Sequence, residues 1–196
     1  KTSDIQYALV SNLHPINNFT GKTAYTPKCF YAWSRYWEKE VKKYDQVKIH
    51  PRSLPPITNS GEFFDLCLLS QPRVAKRLKR YLLEISDFYP KKRIAYCLHP
   101  DDSIKDSLED YEINLRKNIV VRYGTSFQDI NHSEIILGGY STSMYEASFL
   151  GKPVYVLPVP GWEMLERAID EGIMRLYQSA KNIVSFKPSS KSKELF

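Results

Sequence analysis

The chain has four histidines, and three of them, His14, His50 and His99, stand directly before a proline. Proline lacks a backbone N–H and disfavours helix at the residue before it, so each of these imidazoles belongs at the end of an extended segment. Imidazole titrates near neutral pH and can act as hydrogen-bond donor or general acid, which suits a leaving group that gathers negative charge. Further along comes GGYSTSMYE, residues 138–146. Gly138 and Gly139 permit a sharp turn or a close ligand approach, and Ser141, Thr142 and Ser143 open a helix whose first N–H groups have no internal partner. A phosphate placed there gains those donors, the positive end of the helix dipole and the hydroxyls. Glu146 follows one turn on, where a carboxylate can accept from both hydroxyls of a ribose. The same letters also spell a capping box, Ser143-x-x-Glu146, which closes a helix start internally. The sequence leaves both readings open.

These residues need a scaffold, and from Glu62 onward the chain supplies one. FFDLCLLS (63–70), RIAYCLH (93–99), NIVVRYG (118–124), EIILGGY (134–140) and PVYVLPV (153–159) read as five strands, apolar almost throughout rather than at every second position. Helical or polar segments separate them: one after Pro72 with Val74, Leu78, Tyr81, Leu82 and Ile85 at helical spacing, then 103–116, 125–132, 142–150, and 162–171 extending toward Tyr177. Strict alternation of strand and helix predicts an α/β fold, a Rossmann-like doubly wound parallel sheet covered on both faces. In such a sheet ligands bind beyond the carboxyl ends of the strands. That rim collects Ser70 and Gln71, then His99, Pro100 and Asp101, then Gly124, Thr125 and Ser126, then Gly139 to Glu146 with Tyr140 among them, and finally Pro158 to Gly161.

The first sixty residues keep a different rhythm. Trp33, Tyr36, Trp37, Val41 and Tyr44 predict one amphipathic helix, QVKIH (46–50) a short strand, and the proline-rich PRSLPPITNSG (51–61) a semi-rigid connection. The expected division is therefore 1–60, the end of another lobe and its hinge; 61–186, the Rossmann-like lobe; and 187–196, a solvated basic tail. The first part cannot bury a core alone. The chain opens at Lys1 rather than at a methionine, as a piece of a longer protein would.

Composition narrows the partners. With 196 residues and 42% hydrophobic content the chain folds around a real core, and a formal net charge of +6 without any block of like charges suits phosphorylated ligands, acidic glycans or an anionic membrane surface rather than nucleic acid. Cys29, Cys67 and Cys97 lack metal-ligand spacing, and two of them sit in apolar runs, which points to a reducing compartment. No apolar run approaches the roughly 18 to 20 residues that span a bilayer. The expected location is cytoplasmic, with peripheral contact to an anionic membrane. Asp101-Asp102 reads as a helix cap in preference to a metal pair. His50 and His132 read as structural, at a strand end and at the amino-terminal edge of the sheet.

HP closing one strand, followed by YSTSMYEASFLGKPVYVL, resembles the nucleotide-binding lobe of bacterial capsule and lipopolysaccharide glycosyltransferases of the two-lobed GT-B type. The likeness is to the group with sialyltransferases and polysialyltransferases, Kdo transferases and teichoic acid glycerophosphotransferases, and it spans residues 26–180. It implies a nucleotide-sugar donor, CMP- or CDP-linked, a glycan acceptor and no metal cofactor. Carried over by position, His99 would contact the donor phosphate and assist its departure, Ser141, Thr142 and Ser143 would bind that phosphate, and Glu146 the ribose. YTPKCFYAWSRYWEKEVKKY resembles the segment leading out of the acceptor lobe. SNLHPINN stands where relatives have a histidine-glycine pair facing the acceptor, so the resemblance gives His14 that role, with a proline in place of the glycine. Trp162 and Glu163 stand where relatives contact the nucleobase. The acidic general base of these enzymes has no counterpart here, so the alternatives are a catalytically silent nucleotide-sugar binding module, a uridine-donor GT-B enzyme, and an epimerase of the same architecture.

Overall fold

The computed structural model describes residues 3–6, 28–41, 44–57, 61–102, 107–124 and 126–196. Ser3–Ile5 (β1), Cys29–Ala32 (β2) and Gln46–Ile49 (β3) form a small parallel sheet in the order β1-β2-β3. The aromatic segment between β2 and β3 is not the predicted amphipathic α-helix. It is a 3₁₀ helix over Arg35–Glu40, with Trp33 and Tyr44 outside it. Tertiary packing overrides the helical period: Trp37 sits edge-on to Trp33, Tyr36 and Tyr145, and all four rings are buried.

The main sheet has six strands, all parallel: Phe64–Leu69 (β4), Ile94–Leu98 (β5), Ile119–Tyr123 (β6), Ser133–Gly138 (β7), Val154–Val156 (β8) and Arg175–Leu176 (β9). Five were expected; the sixth, β9, is two residues long. Ala75–Phe88 (α1), Tyr111–Asn114 (α2), Ser126–Asn131 (α3), Thr142–Phe149 (α4) and Glu166–Asp170 (α5) lie between strands. The helix expected from 162 toward Tyr177 is instead a 3₁₀ turn at Trp162–Leu165 followed by α5, and Gly172 at φ 69° ends it. Glycine enters that left-handed conformation without a Cβ penalty, so the chain turns back in time to add β9.

Alternate residues of β4 serve opposite faces. Leu66 and Leu68 meet Val74, Leu78, Leu82 and Ile85 of the α1 side, while Cys67 and Leu69 join Ile130, Met144, Tyr145 and the aromatic cluster of residues 30–44. The two cysteines in apolar runs behave as small hydrophobes: Cys67 and Cys97 are buried free thiols. The last ten residues do not form a solvated tail. Leu195 is fully buried, its carbonyl accepts from Trp37 Nε1 at 2.8 Å, and Phe196 stacks on Trp33. Polar contacts add to the docking: the Ser189 N–H donates to the Gly172 carbonyl, Lys193 to the Phe149 carbonyl, and Lys191 pairs with Glu171.

Candidate functional site at the strand-order reversal

The sheet order is β6-β5-β4-β7-β8-β9. From β4 the chain builds outward through β5 and β6, then crosses back to place β7 on the other side of β4. The crossover loops diverge there and leave a crevice beyond the carboxyl ends of β4 and β7. A cavity of about 750 Å³ occupies it, and its walls include Ser70, Gln71, His99, Pro100, Tyr140, Ser141, Thr142 and Ser143. The imidazole and the hydroxyl-rich helix start, distant in the chain, thus face one cleft. Gly124, Gly139 and Glu146 do not line it, and His14 and Thr125 lie outside the described residues.

His99 follows β5, and its orientation is set locally. Its backbone N–H donates to Asp102 at 2.8 Å, and the Asp101 N–H donates to His99 Nδ1 at 3.1 Å. An accepting Nδ1 puts the neutral ring's proton on Nε2, so the other nitrogen is a donor. Asp102 therefore holds the histidine's own backbone. The helix cap read for Asp101-Asp102 falls on residues 103–106, which lie outside the described residues; Asp110 caps the start of α2.

The start of α4 is capped by Ser141, whose Oγ accepts from the Ser143 N–H at 3.2 Å. The Ser143–Glu146 capping box does not form, because the N-cap is Ser141 and Ser143 already lies inside the helix; the Glu146 carboxylate holds Arg52 at 2.8 Å. Gly138 and Gly139 serve packing within the protein: a Cβ on Gly138 would meet Met144 Sδ at 2.9 Å, and one on Gly139 would meet Val159 Cγ2 at 2.7 Å and Gln71 Oε1 at 2.9 Å. Gly124 is the glycine needed for a turn, at φ 71° after β6.

The cleft sorts its polar atoms. Gln71 Oε1 accepts from the Tyr140 N–H at 3.0 Å, stitching the ends of β4 and β7 together. Ser70 Oγ accepts from the Tyr96 hydroxyl, and burial pushes that phenol above its ordinary pKa, so it stays a donor. One carboxylate oxygen of Glu163 accepts from the Gly161 N–H. With His99 Nδ1 and Ser141 Oγ, these acceptors are engaged inside the protein. What remains toward the cavity is mainly donor chemistry, beside the second carboxylate oxygen of Glu163: the Gln71 NH₂, His99 Nε2–H, the serine O–H groups and the Arg73 guanidinium, which has no ion-pair partner among the described residues. An anion rich in acceptors is the complement of such a wall.

No family model matches the chain, and no curated protein matches it. Solved structures do. The glycotransferase of kitacinnamycin superposes with TM-score 0.51 at 15% identity over 81% of this chain and 44% of its own. TarM superposes with TM-score 0.51 at 11% identity over 92% of this chain and 40% of its own. The chain has the fold of a glycosyltransferase lobe. It spans less than half the length of these structures, as one lobe of a two-lobed glycosyltransferase does.

Within this lobe several cleft residues escaped the sequence reading. Arg73 reads as part of the basic outer face of α1, yet the 3₁₀ turn at Pro72–Val74 brings it to the cavity wall. Met164 comes from a loop whose path no periodicity encodes, whereas Gly161, at φ 99° beneath the Tyr140 ring, lies on the rim where the strand ends put it. Trp162 packs on the core, and Glu163 lines the cleft. His50 ends β3 with its N–H on the Ala32 carbonyl, and His132 lies at the amino-terminal edge, where its carbonyl accepts from Phe64 N–H. No helix among the described residues is long and apolar enough to cross a membrane.

Proposed function

We propose that this chain is the donor-binding lobe of a glycosyltransferase that uses a CMP- or CDP-linked sugar to extend a cell-surface polysaccharide. The observation that carries the reading is the donor-rich wall, in which His99 and the Ser141 to Ser143 helix start face one cavity. Transfer breaks the bond between the anomeric carbon and the phosphate oxygen, and the bonding pair stays on that oxygen. Fixed donors aimed at the developing charge lower the barrier. His99 Nε2–H supplies one, or transfers its proton as a general acid; the Ser141, Thr142 and Ser143 hydroxyls and the Arg73 guanidinium supply the rest; Glu146 takes the ribose hydroxyls. The acceptor glycan and His14 belong to the other lobe's side. No metal enters this scheme. The exposed Lys76, Arg77 and Arg80 on α1 are the surface for peripheral contact with an anionic membrane in the cytoplasm.

A uridine donor is the second reading, favoured by a variant of S. aureus TarM solved with fondaparinux, alpha-GlcNAc-glycerol and UDP, which superposes with TM-score 0.51 at 12% identity over 90% of this chain and 40% of its own. Calorimetric titration of CMP, CDP, UDP and GDP separates the two. Binding that prefers cytidine and weakens about tenfold in His99→Ala, the cost of a charge-assisted hydrogen bond, supports the first reading. A preference for UDP supports the second, and the absence of affinity for all four overturns both. Donor hydrolysis or transfer then separates an enzyme from a silent binding module.

A further inference from the structure

Arg52, in the linker between the two sheets, reaches α4 and bonds one oxygen of Glu146 at 2.8 Å. The arginine is itself held: its guanidinium lies 4.7 Å over the Trp33 ring and 5.9 Å from the Phe196 ring, and those two rings stack at 5.4 Å. Phe196 also meets Phe149 of α4 edge-on. The platform therefore joins the first segment, the linker, the last residues and the helix that opens onto the cleft. Planar stacking fixes the orientation of a guanidinium and leaves its N–H edge for a carboxylate.

Glu146 sits three and four positions after Ser143 and Thr142, so it shares their face of α4, one turn behind the part of the cavity wall that those two residues form. Its side chain is 9% exposed, and Arg52 is the only ion-pair partner it has among the described residues. A carboxylate released from its cation loses its fixed orientation, and with it an aimed acceptor. With Oε1 on Arg52, Oε2 stays free of partners among the described residues.

We infer that Arg52 is a positioning residue for donor recognition: it holds the Glu146 carboxylate in a fixed orientation, so that the remaining oxygen accepts from the ribose hydroxyls of the nucleotide. This rests on the proposed ribose role of Glu146 and adds a residue outside the cleft whose loss weakens the nucleotide only through its sugar. The linker thereby becomes part of the donor site. Arg52 works through Glu146 and touches no reacting atom.

The test is calorimetric titration of CMP and UDP, each beside its 2′-deoxy counterpart, into the full chain and its variants. The wild type prefers the ribonucleotide by about tenfold, the worth of one charge-assisted hydrogen bond. Glu146→Gln removes that preference. Arg52→Ala reduces it to about threefold or less while leaving affinity for the deoxy nucleotide unchanged, and Arg52→Lys recovers part of it, because lysine keeps the charge without the planar fork. Phe196→Ala keeps both members of the ion pair and gives a smaller loss in the same direction, which preserves the test if Arg52→Ala fails to fold. A full ribose preference in Arg52→Ala, or tighter binding as expected of a competitor for Glu146, overturns the inference while the ribose role of Glu146 stands. A preference that survives Glu146→Gln, or a wild type that binds no nucleotide, overturns that role and the inference with it.

Discussion

The two ends of the main sheet spend their polar groups differently. At the amino-terminal edge nearly every polar group is consumed internally. Lys92 bonds Asp65 at 2.6 Å, the Arg93 N–H bonds the same carboxylate at 2.8 Å, and Arg116 grips both oxygens of Asp87 at 2.7 and 2.8 Å. Asn118 alone ties three backbone carbonyls and the Ser86 hydroxyl. At the carboxyl-terminal rim most of the named acceptors are consumed, one Glu163 oxygen apart, and the donors are left over. A charge or amide that closes on its own neighbours holds the fold, whereas a one-sided surplus in a concave place is kept for something from outside. The contrast makes the rim the candidate site and the opposite edge a seam.

Breaking the seam costs stability and leaves binding alone. Asn118→Ala strands a hydroxyl and three carbonyls, and chemical denaturation is expected to show a loss of about 2 kcal/mol with nucleotide affinity unchanged. Breaking the rim does the reverse. Arg73→Ala, at an exposed guanidinium without an ion-pair partner among the described residues, leaves the melting temperature within error, weakens nucleotide binding about threefold to fivefold, and flattens its dependence on salt. The smallest effect belongs to acid. Hydrogen bonding from Arg116 holds the Asp87 carboxyl below its ordinary pKa, and for Asp65 the Lys92 ammonium and the Arg93 N–H outweigh burial and give the same direction. Both carboxylates titrate lower folded than unfolded. Their contribution is present above the ordinary carboxylate range near pH 4 and is lost as pH falls through the depressed folded values. Arg116→Ala, removing a largely exposed pair, is expected to cost under about 1 kcal/mol at neutral pH and to shallow the acid limb of a stability curve.

Much of this architecture was legible because strands buried on both faces read as continuous apolar runs, and β4 to β8 do so. β9 was not, since two residues carry no period. The aromatic segment was misread as an α-helix because its spacing is helical, while the burial of neighbouring Tyr36 and Trp37 in one cluster demands a tighter turn. The rim residues Ser70, Gln71, His99 and Tyr140 to Ser143 were legible from strand ends alone. Arg73 was hidden among the arginines and lysines of α1, and the Arg52–Glu146 contact was beyond any local pattern, because it forms between a linker and a helix remote in sequence. The doublet Gly138-Gly139 suggested ligand access and turned out to be a question of space, filled by Met144 sulfur and the Val159 methyl.

The aromatic platform has an optical consequence. Of the three tryptophans in the chain, Trp33 and Trp37 are buried within it, and Trp33 lies directly beneath the Arg52 guanidinium. Intrinsic emission is therefore weighted toward the place where linker, chain end and α4 meet, and a cation leaving one indole face alters its colour and yield. The protein carries an unlabelled gauge of whether its two sheets are still strapped together.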